Sequence, residues 1–163
     1  MSDSPSDVVL SQRLPENSTN SLHIEPGTGY VRLSAPTVVS LPRLRQPPLT
    51  INLHDSLGAG GFSTVFRGEY TNGQKVAVKF PMITAIAMKN AKREYTILNE
   101  LQTSNSTVKC ALISIEDVGI DGDLYVLVLP LLRPLLDLFP DPKIDPVGNA
   151  WFSRADAVNV NIS

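Results

Sequence analysis

The feature that most constrains this chain is Leu57-Gly58-Ala59-Gly60-Gly61-Phe62-Ser63, a glycine cluster set between two strand-like stretches. Before it, Ile51, Leu53 and Leu57 alternate with Asn52, His54 and Ser56, the two-residue period of a half-buried strand. After it, Phe62 to Tyr70 is rich in aromatic and β-branched residues and reads as a second strand. A glycine-rich turn between strands has a backbone that a ligand can approach closely. Its exposed N–H groups can cradle phosphate oxygens. It can equally be a tight turn and nothing more. Two other phosphate-binding patterns are excluded. The dinucleotide fingerprint needs a helix after the glycines, and the Walker loop needs a Gly-Lys-Ser or Gly-Lys-Thr that this sequence lacks.

The strands continue. Asn72-Gly73 is read as a two-residue hairpin turn, since both residues tolerate positive φ. Lys75 to Phe80 forms a third strand that Pro81 ends. Thr84 to Leu101 has helical periodicity, with Ile97, Leu98 and Leu101 on one face and Glu94 beside them. The polar run Gln102 to Ser106 ends that helix. Val108 to Ile115 reads as a fourth strand, Asp121-Gly122 as a second hairpin turn, and Leu124 to Leu129 as a central fifth strand, apolar on both faces. The expected fold class is therefore α+β, a five-stranded antiparallel sheet carrying one long helix.

Within that frame Val76-Ala77-Val78-Lys79 draws attention. Alternation puts Ala77 and Lys79 on one face and Val76, Val78 and Phe80 on the other. A lysine on a buried strand needs a partner for its charge, or it snorkels to water from the edge. Glu94 is a helical residue on the apolar side. Turned inward it needs a cation, and Lys79 is the nearest candidate in the expected topology.

Together the motifs Leu-Gly-x-Gly-x-Phe-x-x-Val, the short hairpin and Val-Ala-Val-Lys resemble the amino-terminal lobe of the protein kinases. The wording Gly-Gly-Phe-Ser-Thr-Val-Phe-Arg-Gly-Glu-Tyr is most similar to the tyrosine-kinase-like group. The resemblance implies an ATP site. Leu57, Gly58, Ala59, Gly60, Gly61, Phe62 and Ser63 would form the loop over the phosphates, with Ser63 where the family has its third glycine. Val65 and Ala77 would pack on adenine. Lys79 would contact the α- and β-phosphates, with Glu94 holding it. Val128 would sit at the back of the pocket, and Leu129 to Leu131 would be the hinge. The family's His-Arg-Asp and Asp-Phe-Gly are absent, so no catalytic or metal residue is assigned, and Mg²⁺ is expected only with an intact second lobe. The resemblance covers about residues 49–139 and implies a lobe truncated before the catalytic loops. Two other readings stand beside it, a non-catalytic module that docks a protein partner on its exposed inter-lobe face, and an inert fragment.

Outside that span, residues 1–48 are rich in Ser, Pro and Asn and are expected to be mainly a flexible leader, with Asp7 to Leu10 and Thr37 to Ser40 as candidate weak strands. Within it Leu41 to Pro48 is similar to a polyproline II ligand. Residues 140–163 hold Pro140, Pro142 and Pro146 and read as an irregular tail. A net charge of −2 gives no bulk attraction to nucleic acid or anionic lipid. No apolar run approaches the roughly 20 residues of a membrane span, and the acidic start has no secretory h-region. An intracellular, cytoplasmic protein is expected, binding neither nucleic acid nor membrane. One cysteine, Cys110, excludes an intrachain disulfide.

Overall fold

A computed structural model describes residues 21–104, 114–132, 143–144 and 150–151. The chain divides into two units, Met1–Leu131 and Leu132–Ser163. The second contains a two-stranded antiparallel pair, which takes the labels β9 (Lys143–Ile144) and β10 (Ala150–Trp151). The region read as an irregular tail therefore holds this small strand pair.

The first unit runs β1 (Leu22–Ile24), β2 (Val31–Leu33), β3 (Thr37–Arg43), β4 (Gln46–Ala59), β5 (Ser63–Tyr70), β6 (Lys75–Pro81), α1 (Ala85–Thr103), β7 (Asp117–Asp121) and β8 (Leu124–Pro130). β1 and β2 pair as a hairpin. The other strands form one sheet, all neighbours antiparallel, in the order β3-β4-β5-β6-β8-β7. The sheet thus has six strands rather than the expected five, and one helix among the described residues packs on it.

The sixth strand is β3, from the stretch read as a leader. Between residues 21 and 48 the chain is built into the fold, while residues 1–20 lie outside the described residues. Thr37, Val39 and Leu41 are buried, alternating with less buried Val38, Ser40 and Pro42. The candidate strand Thr37 to Ser40 is thus real and runs on to Arg43, past the point where Pro42 breaks the sequence pattern. Pro42 is tolerated because an edge strand does not need every donor. The Leu41 to Pro48 stretch is a strand hairpin turning at Leu44-Arg45, with Arg45 at φ 56°, not a polyproline helix. Its register is Val39 opposite Ile51 and Leu41 opposite Leu49.

The sheet curls until its two edges meet. β3 and β7 share no ladder hydrogen bonds, yet Arg43 Nη1 lies 2.8 Å from Asp117 Oδ2. A Cβ added to Gly119 would lie only 2.8 Å from Leu41 Cβ. Inside the curl lies the core. Val39, Ile51, Leu53, Phe66, Val76, Val78, Phe80, Val126 and Val128 form one buried cluster. Phe66 meets Phe80 edge to face at 5.7 Å. Each large apolar side chain so buried contributes about 1.5–3 kcal/mol. Tyr70 packs on this cluster. Burial pushes its phenol up to about 12, the Asp117 and Glu116 carboxylates add to that, and Arg43 opposes it.

Several local expectations are corrected. β4 changes register between Leu53 and Ser56 and again between Ser56 and Gly58, so its alternation breaks and Leu57 is exposed. The β5–β6 turn is a four-residue loop, 71–74, in which only Gly73 has positive φ and the Asn72 side chain accepts the Gln74 N–H at 2.9 Å. β6 continues through Pro81. Thr84 caps α1, its Oγ1 accepting from the Ala87 N–H at 3.3 Å. The helix buries Ala87, Met88 and Ala91, while Ile97 is exposed, so the packing face lies N-terminal to the one read from sequence. It ends where the Thr103 hydroxyl donates to the Asn99 and Glu100 carbonyls. Of the expected strand Val108 to Ile115, residues 108–113 lie outside the described residues. The strand beside β8 begins instead at Asp117. Gly122 at φ 58° makes the turn that follows it. Among the described residues no helix is long and apolar enough to cross a membrane.

Two measurements test this packing. Gly119→Ala drives a Cβ into the Leu41 Cβ, which is fixed to the backbone and cannot rotate away. A loss of about 1–3 kcal/mol is expected in urea denaturation, and no loss means the strand edges do not close. Tyr70 binds its proton more tightly folded than unfolded, so its stabilising contribution is complete below pH 10.0 and is lost as pH rises toward about 12. Tyr70→Phe is expected to flatten the decline of stability across that window. Parallel declines in the two proteins would contradict the burial of this phenol.

Candidate functional site

The face opposite the core carries the site. Val65, Lys79 and Leu127 stand side by side across β5, β6 and β8, and Ala77 stands beside Leu129 in the next row. Helix α1 lies over this face, and Tyr95 on it packs against Tyr125 of β8 with centroids 5.5 Å apart. The helix brings Glu94 to Lys79. Lys79 Nζ donates to both Glu94 carboxylate oxygens at 2.8 Å. Both side chains remain partly solvated, 26% and 37% exposed. Such a pair adds at most about 1 kcal/mol to stability. Its geometric consequence is larger, because two short charge-assisted bonds hold the ammonium in one place.

The glycine loop projects beside this pair. β4 and β5 pair out to Ala59 opposite Thr64, and residues 60–62 make the tip. Two of the three tip carbonyls, those of Gly60 and Phe62, are engaged, and the Ser63 carbonyl beside them is too. Ser63 O accepts from Gly60 N at 2.8 Å, Phe62 O from Met82 N at 2.8 Å, and Gly60 O from Tyr30 Oη at 2.8 Å. Among the described residues, the Gly61 and Phe62 N–H groups donate to no protein acceptor. A turn with most of its carbonyls tied back and two of its amides free can accept an anion.

The fold itself does not need these glycines. A Cβ at Gly58, Gly60 or Gly61 would meet nothing within 4 Å, and none of the three has positive φ. At Gly68 the same atom would meet Val78 Cγ2 at 2.7 Å, so that glycine is required by packing. Internal packing therefore fixes Gly68 but leaves room for a side chain at Gly58, Gly60 and Gly61.

Between loop, strand and helix lies a cavity of about 230 Å³, bordered by Gly61, Phe62, Ser63, Lys79, Glu94 and Leu127. Gly61, Phe62, Ser63, Lys79 and Glu94 are expected from sequence, whereas Pro81, Ala87, Asn90, Ala91 and Leu127, which also line it, are not. A second hollow of about 430 Å³ lies beyond Glu94, against Ile97, Leu98 and Leu129. Gly58, Ala59 and Gly60 are exposed on the hairpin and do not border the cavity, and neither does the exposed Leu57. Val65 and Ala77 share its face by register. Leu131 is half-buried just past β8.

Val128 is a correction. It pairs with Val78 and lies wholly inside the core, away from Lys79. The back of the cavity belongs to Leu127, and Leu129 borders the second hollow. Parity along β6 alone does not show this, because the β6–β8 register sets Leu127 opposite Lys79. Tyr30 was missed for a different reason. It lies 30 residues from Gly60 and nothing local marks it. Among the described residues no group of three or more His, Cys, Asp and Glu side chains could hold a metal ion.

Neither the family models nor the curated proteins contain a match to this chain. Among solved structures, it is similar to the crystal structure of PF14_0431, kinase domain. The two are 20% identical with a TM-score of 0.46, and the likeness covers 56% of this chain and 27% of that one. This chain thus spans about a quarter of the length of that neighbour.

The site and the core make opposite demands on glycine. Gly61→Ala is expected to change unfolding free energy by no more than about 0.5 kcal/mol, in contrast with Gly119→Ala. Equal losses from both substitutions would show that the loop glycine serves packing after all.

Proposed function

We propose that this chain binds ATP through the loop at Gly60-Gly61-Phe62, Lys79 and the apolar strip Val65, Ala77 and Leu129, in the manner of the amino-terminal lobe of a protein kinase. The observation that carries the proposal is the Lys79–Glu94 pair, 2.8 Å at both oxygens, beside a loop whose Gly61 and Phe62 amides are free. In this reading the amides and the Lys79 ammonium neutralise phosphate oxygens, and Glu94 keeps the ammonium from folding back to solvent. Val65 and Ala77 offer the flat apolar surface that a purine needs. Leu129 to Leu131 follow as the chain segment along the purine edge. Pro130 has no N–H, so its neighbours would make those contacts.

The proposed role is nucleotide binding. Phosphoryl transfer to a protein Ser or Thr would further require a base at the acceptor hydroxyl and carboxylate or amide ligands for Mg²⁺. This sequence contains neither His-Arg-Asp nor Asp-Phe-Gly. Magnesium would then enter with the phosphates. A second reading, a module that docks a protein partner, is favoured by one observation. The hollow against Leu98 and Leu129 is bordered by Ile97, which is 45% exposed.

Thermal unfolding with and without Mg-ATP tests both, on the wild type and on Lys79→Met. Nucleotide at about ten times its Kd is expected to stabilise the wild type by about 1.4 kcal/mol and to leave Lys79→Met unshifted. A cooperative transition that nucleotide moves in neither protein rejects the ATP reading and favours the docking module. Absence of any cooperative transition identifies an inert fragment.

A further inference from the structure

The β1–β2 hairpin adds a part that the nucleotide reading does not use. Its turn, residues 25–30, reaches the start of α1 and the glycine loop together. Ile83 N donates to Gly29 O at 2.7 Å. Gly29 has φ +79°, which L side chains rarely adopt, and leaves little room for one, with Ile83 O 3.1 Å from where its Cβ would stand. The next residue is Tyr30, whose hydroxyl donates to Gly60 O at 2.8 Å.

The Tyr30 ring is itself held. The Arg32 guanidinium lies over it, 5.1 Å from the centroid. Glu25 binds Arg32 Nη2 at 3.2 Å and accepts from Thr28 Oγ1 at 2.6 Å. The Thr28 hydrogen bond and then Arg32 hold the Glu25 carboxyl below its usual range. Glu25, Arg32 and Tyr30 thus form a chain of contacts that ends on the loop tip.

What that last bond controls follows from peptide geometry. Gly60 C=O and Gly61 N–H belong to one peptide group, which is planar and trans here. Their bonds point in opposite directions. A donor that captures the carbonyl therefore aims the amide the other way, away from Tyr30. Flanked by two glycines, this peptide plane meets less steric resistance to rotation than any other pair of residues would impose. Elsewhere on the tip, Met82 N does the same to the plane between Phe62 and Ser63.

We propose that Tyr30 is a positioning residue for the glycine loop, its hydroxyl orienting the Gly60–Gly61 peptide so that the Gly61 amide is presented to a phosphate. The inference rests on the ATP reading for its ligand and on the loop alone for its mechanics. Two measurements on the full chain separate those. Tyr30→Phe removes the hydroxyl and keeps the ring under Arg32. In the ligand-free protein, the backbone order parameter of the Gly61 amide is expected to fall from the rigid range, about 0.85, toward about 0.6. Order parameters in β6 and β8 and the melting temperature should not move. Calorimetric titration with Mg-ATP is expected to show affinity weakened by about threefold to tenfold, the worth of one hydrogen bond, and Tyr30→Leu should behave as Tyr30→Phe or worse. An unchanged order parameter at Gly61 overturns the latch, as does equal Mg-ATP affinity in wild type and variant. If the wild type binds no Mg-ATP, the nucleotide reading fails, and a lowered order parameter at Gly61 alone then still establishes that Tyr30 holds the loop.

Discussion

The structure depends on the register of three strands. β6 pairs Val78 with Phe66 on one side and with Val128 on the other, and all three turn into the core. Side chains on a strand alternate with a period of two, so Lys79 must turn outward together with Val65 and Leu127. One parity choice thus assigns the interior of the curl and the floor of the site at once. A slip by one residue would bury the ammonium and expose Val78 and Phe80, at a cost far beyond what the Lys79–Glu94 pair contributes. The apolar core therefore holds the lysine in position, and the ion pair only refines where its nitrogen rests.

Closure of the sheet makes that core possible. Six curled strands enclose more apolar surface than an open sheet of five, and the sixth protects β4 from becoming an exposed edge. Gly119 lets β7 approach Leu41, and Arg43 bonds Asp117 across the same seam. The outer face stays open to α1, which contributes small residues, Ala87 and Ala91, close to the strands and a long one, Glu94, farther along. Small residues permit close approach, and the longer side chain reaches back to the lysine. The cavity is what remains between them.

Much of this was legible in order along the chain. The alternation of Val76 to Phe80, the helix through Glu94 and the Gly122 turn follow from short-range periodicity, and the structure has all three. Readings failed where distant parts of the chain decide. β3 carries a two-residue period too brief and too broken by Ser and Pro to read as more than a weak strand, and its burial comes only from β4 and β7. Leu57 continues the apolar alternation of its strand, but two register shifts place it in solvent. The family resemblance places Val128 at the pocket, and β8, apolar on both faces, carries no pattern that opposes it. Apolar character cannot say which face is which.

The local pattern by itself determined the glycine hairpin, the lysine strand and the helix that carries Glu94, because each is specified by contacts a few residues apart. Only the tertiary structure decided that Lys79 and Glu94 meet, that Leu127 rather than Val128 backs the cavity, and that Tyr30 reaches Gly60. Those outcomes depend on sheet register, on curl and on a bond spanning 30 residues. The physical reason is the same in each case. Periodicity tells which residues share a face of one element, whereas the neighbour each face meets is set by how the elements pack.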